Sequence, residues 1–301
     1  MEFEDRFASE QACREYLMQL RWPEGFRCPR CGAANAWQTA RGLLHCRACD
    51  HQTSPTAGTV FQDTRKPLRM WFRAMWWVTS QKTGASAMGL QQVLGLGSYQ
   101  TAWSWLHKLR RAMVRPGRDR LRGLVEVDET FIGGPEEGNR GRTALDKSQV
   151  VIAVERQGRK LGRVRLRAIE EASSAVLAQF VEDSVEPGST VRTDGWRSYQ
   201  EVGRRGYRHE AINQSRSSKS AAELLPGVHR IASLLKRWLL GTHHGKVSGY
   251  HLGYYLDEFA FRFNRRTSKH RGKLFYRLLQ QAVAAEPTTY QDLIQPKNHN
   301  R

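Results

Sequence analysis

Two CxxC pairs constrain this chain more than any other feature of its sequence: Cys28-Pro-Arg-Cys31 and Cys46-Arg-Ala-Cys49, with 14 residues between them. Each pair presents two sulfurs from one tight turn. A hairpin between the pairs brings the turns together, so that four thiolates can surround a single tetrahedral Zn2+. Gly32, directly after the first pair, supplies the positive φ such a turn needs. The rival use of four cysteines, two disulfides, belongs to oxidising compartments, and the charged start Met-Glu-Phe-Glu-Asp-Arg does not read as a secretory leader. Two CxxC copies at this spacing are also rarely redox sites. Cys28, Cys31, Cys46 and Cys49 are therefore expected to form a structural zinc ribbon, with Cys13 outside it as a small buried residue.

Charge narrows the class of partner. The 301 residues carry 48 Lys and Arg against 29 Asp and Glu, a net +19, and such an excess most often serves nucleic acid through counterion release. With 40% hydrophobic and 26% charged residues the chain has material for a core, which excludes wholesale disorder. No apolar run approaches the roughly 18 residues a membrane helix requires; the best, Met70 to Val78, is broken by Arg73. The expected setting is the cytoplasm.

Four regions follow from the patterning: residues 1–60, an N-terminal helix and the ribbon; 61–122, a helical segment; 123–290, a mixed α/β domain; and 291–301, a tail. In the second region, apolar and aromatic stretches around Trp71–Trp77, Leu90–Leu94 and Ala102–Leu109, with Gly95 and Gly97 between the last two, predict a helix-turn-helix-like arrangement. Seven basic residues between 101 and 123 (Lys108, Arg110, Arg111, Arg115, Arg118, Arg120 and Arg122) face one acid, Asp119, and suggest a phosphate-contacting surface. In the third region, strands are predicted at 124–132, 149–155, 163–169, 190–193 and 207–212. Helices are predicted at 173–183, 196–202, from about 228, after Pro226-Gly227, to about 240, at 249–265 and at 274–285.

Within so basic a chain, carboxylates at strand ends need a reason. Asp128 lies within the first strand of the α/β region and Asp194 just beyond the fourth, 66 residues later. If those strands are neighbours, the two carboxylates converge, and their repulsion is relieved by a divalent cation such as Mg2+, which accepts one or two carboxylates together with phosphate oxygens. Pairs of such ions drive phosphoryl transfer. On the helix from about Val228, at about 100° per residue, Ser233 and Lys236 share a side with His229, whereas Ile231, Leu235 and Trp238 lie opposite. His229 and Lys236 therefore turn together towards a polar cleft. Glu126, two residues before Asp128, and Glu223, ahead of the helix, are further carboxylates that could serve as ligands; Glu258 is expected to pair with Arg262 at i+4. Residues 262–277 hold seven Lys and Arg and no acid, which suits a DNA-backbone track. His243 and His244 fall in a glycine-containing loop with no partner spacing.

Taken together, the ribbon, Val125-Glu-Val-Asp-Glu-Thr, Arg192-Thr-Asp-Gly-Trp, Leu234-Leu-Lys-Arg and Tyr255-Leu-Asp-Glu-Phe-Ala-Phe-Arg-Phe-Asn-Arg-Arg266 resemble the bacterial insertion-sequence transposases of the zinc-ribbon, ISXO-like group. The resemblance implies a ribonuclease H-like catalytic domain of the DDE type. It implies Asp128 and Asp194 as ligands of catalytic Mg2+ or Mn2+, His229 at the third acidic or amide position, and Lys236 as the lysine that follows. It further implies double-stranded DNA as partner, both transposon ends and target, and a homo-oligomer on that DNA. A histidine in place of a hard oxygen donor suits softer ions better than Mg2+. That departure leaves a second expectation standing, a zinc-ribbon DNA-binding protein that no longer cuts.

Overall fold

The computed structural model describes residues 2–115, 117–133, 147–213, 218–243, 247–270 and 272–295. The chain divides into two compact units: residues 1–115 together with 269–301, and residues 116–268.

The first unit opens with helices α1 (Glu2–Arg6) and α2 (Glu10–Arg21), followed by a three-stranded antiparallel sheet of β1 (Ala36–Gln38), β2 (Leu44–Cys46) and β3 (Gln52–Thr53). Arg14 donates to the Gly42 carbonyl, and Arg21 to those of Ser54 and Pro55, tying α2 to the ribbon. Helices α3 (Leu68–Ser80), α4 (Ala87–Leu94) and α5 (Tyr99–Ala112) come next. Ser86 caps α4 by accepting the Gly89 amide, and Gly95, at φ 61°, ends it, as the turn between two short helices demands.

Helix α5 is not the exposed recognition surface its basic end suggests. Most of its residues are buried, and Arg110 itself is buried with its guanidinium directed at the Ala85 carbonyl, while burial lowers the pKa of Lys108. The basic tract is therefore divided between core and surface.

The unit closes with α11 (Gly272–Ala284) and α12 (Tyr290–Ile294). Phe275, fully buried, meets Phe3, Phe7, Phe72 and Trp76 ring against ring. This aromatic packing draws α11 back to the N-terminal unit, whereas the sequence reading extends the α/β domain to residue 290. Cys13 is buried here as expected, its thiol pushed up to about 12 mainly by that burial.

The second unit is a five-stranded sheet in the order β6-β5-β4-β7-β8. It comprises β4 (Leu124–Ile132), β5 (Ser148–Gln157), β6 (Lys160–Ile169), β7 (Thr190–Thr193) and β8 (Arg208–Ala211). The first three strands form an antiparallel meander; β7 and β8 lie parallel to β4 on its other side. Strand β5 is the most continuously apolar because both its faces are covered. Val151 and Ala153 pack against α6 (Ser174–Ser184), while Val150, Ile152 and Val154 pack against α9 (Pro226–His243) and α10 (Leu252–Phe263). Two short helices, α7 (Gln200–Arg204) and α8 (Ala221–Leu224), complete the unit. Mixed sheet, central first strand and flanking helices make this a ribonuclease H-like fold. Among the described residues, no helix is long and apolar enough to cross a membrane.

Candidate functional site

The ribbon brings its four cysteines together from two matching turns. Gly32 donates to the Cys28 carbonyl at 2.9 Å and Asp50 to that of Cys46 at 3.1 Å. Both donors are left-handed, at φ 75° and 55°. The four sulfurs lie within 4.8 Å of one another, with Cys28 to Cys49 at 3.7 Å and Cys31 to Cys46 at 3.6 Å. Sulfurs at about 2.3 Å from one tetrahedral zinc are separated by about 3.8 Å, so the donor set fits that ion. Cys28, Cys31, Cys46 and Cys49 constitute a structural zinc site.

In the second unit, β4 and β7 pair in parallel with Leu124 opposite Thr190 and Glu126 opposite Arg192. That register carries a constant offset of 66 residues, so Asp128 and Asp194 come to the same end of adjacent strands. The Asp194 carboxylate is fixed by the Trp196 amide at 2.9 Å, within a turn through Gly195. Asp128 accepts the Glu129 amide at 2.8 Å. Burial raises the Asp128 carboxyl above its ordinary pKa, and the charge of Asp194 raises it further.

His229 arrives from the first turn of α9, with Nε2 at 3.7 Å from Asp128 Oδ2. Its position is set by Glu126. That carboxylate, only 1% exposed, accepts the Gly227 and Val228 amides at 2.6 and 3.1 Å and lies 3.2 Å from Arg156 Nε. An anion at a helix N-terminus satisfies free amides and the helix dipole together. Gly227 is required by the same approach, since a Cβ there would stand 2.6 Å from the Glu126 oxygen. Glu126 is thus occupied as the anchor of α9 and is not a spare ligand. Glu223 is likewise occupied, closing a capping box with Ser220 at the start of α8.

Lys236 is exposed, about two turns beyond His229 on α9. Its ammonium is lowered in pKa by partial burial and by Lys147. Among the described residues no hydrogen bond or ion pair joins it to Asp128 or Asp194.

One acidic residue of this group escapes the sequence reading. Glu129 is pushed up to about 8, chiefly by burial and then by the charge of Asp128, and Asp194 adds to the effect. The fully buried Tyr199 lies beside it, its hydroxyl pKa raised by burial and by the surrounding carboxylates. Alternation assigns Glu129 to the opposite face of β4 from Asp128. The legible signal is two consecutive acids near the end of a buried strand. Glu129 and Tyr199 lie close to one another, and His229 Nε2 is buried without a hydrogen bond, which leaves that nitrogen available to a ligand.

Basic residues after the site are more engaged than their number suggests. Arg262 pairs with Glu258 at 2.8 Å as expected from i+4 spacing. Arg265 and Arg266 stack on Phe261 and Phe263 at 4.1 and 3.9 Å. The run from 262 to 277 also spans both compact units. His243 packs against Trp238 and Tyr255; His244 and Arg271 lie outside the described residues.

Comparison with known proteins agrees with this architecture in both units. The ISXO2-like transposase domain matches residues 120–264, and the transposase zinc-ribbon domain matches residues 8–52. An uncharacterized protein in transposable element ISH50 of Halobacterium salinarum is 27% identical over 293 residues, covering 89% of this chain and 94% of that protein. With ribbon and ribonuclease H-like domain both matched in order, the chain belongs to the IS1595-type, ISXO2-like transposases of insertion sequences.

Proposed function

We propose that this protein binds the ends of its element as double-stranded DNA, cuts them, and transfers the freed 3′ ends to target DNA in the cytoplasm. The observation that carries this reading is the β4–β7 register, which places Asp128 and Asp194 side by side with His229 at 3.7 Å from Asp128. Two carboxylates together in a half-buried site are unfavourable without a cation, and His229 Nε2, which makes no hydrogen bond, adds a third donor within reach of the same position. Asp128 and Asp194 are the residues that would hold Mg2+ or Mn2+, and a bound ion there would supply activation of the attacking oxygen and stabilisation of the leaving one. His229 presents a nitrogen lone pair beside Asp128, either to the ion or to the attacking water. Lys236 presents its ammonium along the same helix face to a phosphate of the bound strand. The ribbon and helical segment would position the ends, and work at two ends calls for at least two copies on one DNA.

The test is cleavage of duplex carrying the element's terminal sequence, with Mg2+ and separately with Mn2+. Asp128→Ala and Asp194→Ala abolish cutting while leaving DNA affinity within about 2-fold. His229→Ala lowers the rate at least about 10-fold, and His229→Glu, a harder donor, regains activity with Mg2+. Wild-type binding without cutting under either ion supports instead a DNA-binding protein that has lost catalysis.

A further inference from the structure

A second feature of the sheet unit lies away from the carboxylates. A bowl of about 1430 Å³ opens at the opposite end of the sheet, where β4 begins and the β5–β6 hairpin turns. Eight basic side chains line it against three acidic ones. Asp128 stands four residues along β4 from Leu124, about 13 Å at strand spacing, so the two places are distinct yet within the span of one short duplex.

Some of the cations serve the wall itself. Arg163 grips Glu155 at 2.6 Å, neutralising one of the three acids, and donates to the Arg120 carbonyl at 2.8 Å. Arg156 joins Glu126 and donates to the Gly158 carbonyl at 3.1 Å, bracing the hairpin turn. Arg266 stacks on Phe263 and donates to the carbonyls of Leu161 and Gly162. Others face outward. Arg122, Arg159, Lys160 and Arg230 are exposed, and their side chains make no hydrogen bond or ion pair among the described residues. A rigid wall carrying uncompensated cations is the arrangement that attracts a polyanion.

The bowl also communicates with the catalytic end. A smaller hollow on α9 is lined by His229, Ser233 and Arg237, and shares Arg230 and Leu234 with the bowl. One basic path therefore runs from His229, across the exposed face of α9, to the hairpin turn at Arg159 and Lys160.

We infer that this path is a second seat for the DNA backbone, which takes the phosphates of duplex beyond the cut through Arg122, Arg159, Lys160 and Arg230. The inference rests on the reading of the chain as a DNA-cutting protein, and it adds where the remainder of the duplex lies. The occupant is a phosphate backbone rather than a base-reading contact, because long flexible cations on a turn and a helix face match charge but carry no fixed donor pattern.

The experiment measures affinity of the full-length protein for a fluorescent 40-base-pair duplex across a salt series. The variants are Arg159→Glu/Lys160→Glu and the milder Arg159→Gln/Lys160→Gln, each checked for unchanged melting temperature. Losing two phosphate contacts should reduce the slope of log K against log salt by about 1.8. The reversal variant should bind at least about 10-fold more weakly near 0.1 M salt, with the glutamine variant between it and wild type. Wild-type binding with an unchanged slope in both variants overturns this inference alone. A wild type that binds no duplex overturns it together with the parent reading. Wild type that binds labelled polyglutamate as tightly as DNA assigns the bowl to an acidic protein and overturns it too.

Discussion

At the scale of single residues, the acidic group is first of all a problem in electrostatics. Glu129 sits at about 8 because burial and Asp128 both oppose its charge. A carboxyl whose folded pKa lies above its unfolded value stabilises the fold fully below the unfolded value, and this contribution is lost as pH rises through the folded one. Without divalent cations, wild-type melting temperature should therefore fall between about pH 4.5 and 8 relative to Glu129→Gln. Added Mn2+ should restore part of the loss, because an ion bound only to the folded state stabilises it. Parallel pH profiles for the two proteins would remove Glu129 from the group. Its neighbour Glu126 shows why residue type alone does not predict role: both are acids on one strand, yet the buried Glu126 meets two amides and an arginine and the partly buried Glu129 feels the charges of Asp128 and Asp194.

At the scale of elements, α9 depends on β4 for its start. Glu126→Ala removes the acceptor for two helix amides and leaves Arg156 facing an apolar gap; loss of one partner from a buried pair costs about 3–5 kcal/mol. Denaturant melts should show that loss, and cleavage should fall further than stability accounts for, since His229 is placed by the same turn. In the ribbon, Cys46→Ser should release about one zinc per chain, measured by elemental analysis. Much of this level is legible in the sequence. The edges of β4 and β7 follow from alternation and from Asp194-Gly195, and α9 from its apolar stripe. What stays hidden is partnership across distance. The capture of Gly227 and Val228 by Glu126 joins residues about a hundred positions apart, and the burial of Arg110 under Ala85 depends on packing that a charge count cannot register. The convergence of Asp128 with Asp194 is inferable because strand order constrains it; the raised pKa of Glu129 is not, because it depends on burial beside Tyr199 and on charges from two strands.

At the scale of the whole molecule, the sheet unit is an insertion within the N-terminal one: the chain leaves that unit after Arg115 and returns to it at Lys269. A chain ending at residue 268 should keep a cooperative sheet unit but lose the helical part of the first. Phe275, Leu278 and Leu279 are fully buried there, and about 1.5–3 kcal/mol for each is enough to unfold a marginally stable unit. Hydrogen exchange would locate the loss, with protection retained in β4 and β5 and absent from α3; protection surviving in α3 would contradict it. The insertion also sets a timetable for a ribosome making this protein. The sheet unit, translated without a break from residue 116 to 268, can finish folding while the helical part of the other unit still waits for Phe275, so a nascent chain released between the two would carry an ordered sheet beside an uncompleted helical layer.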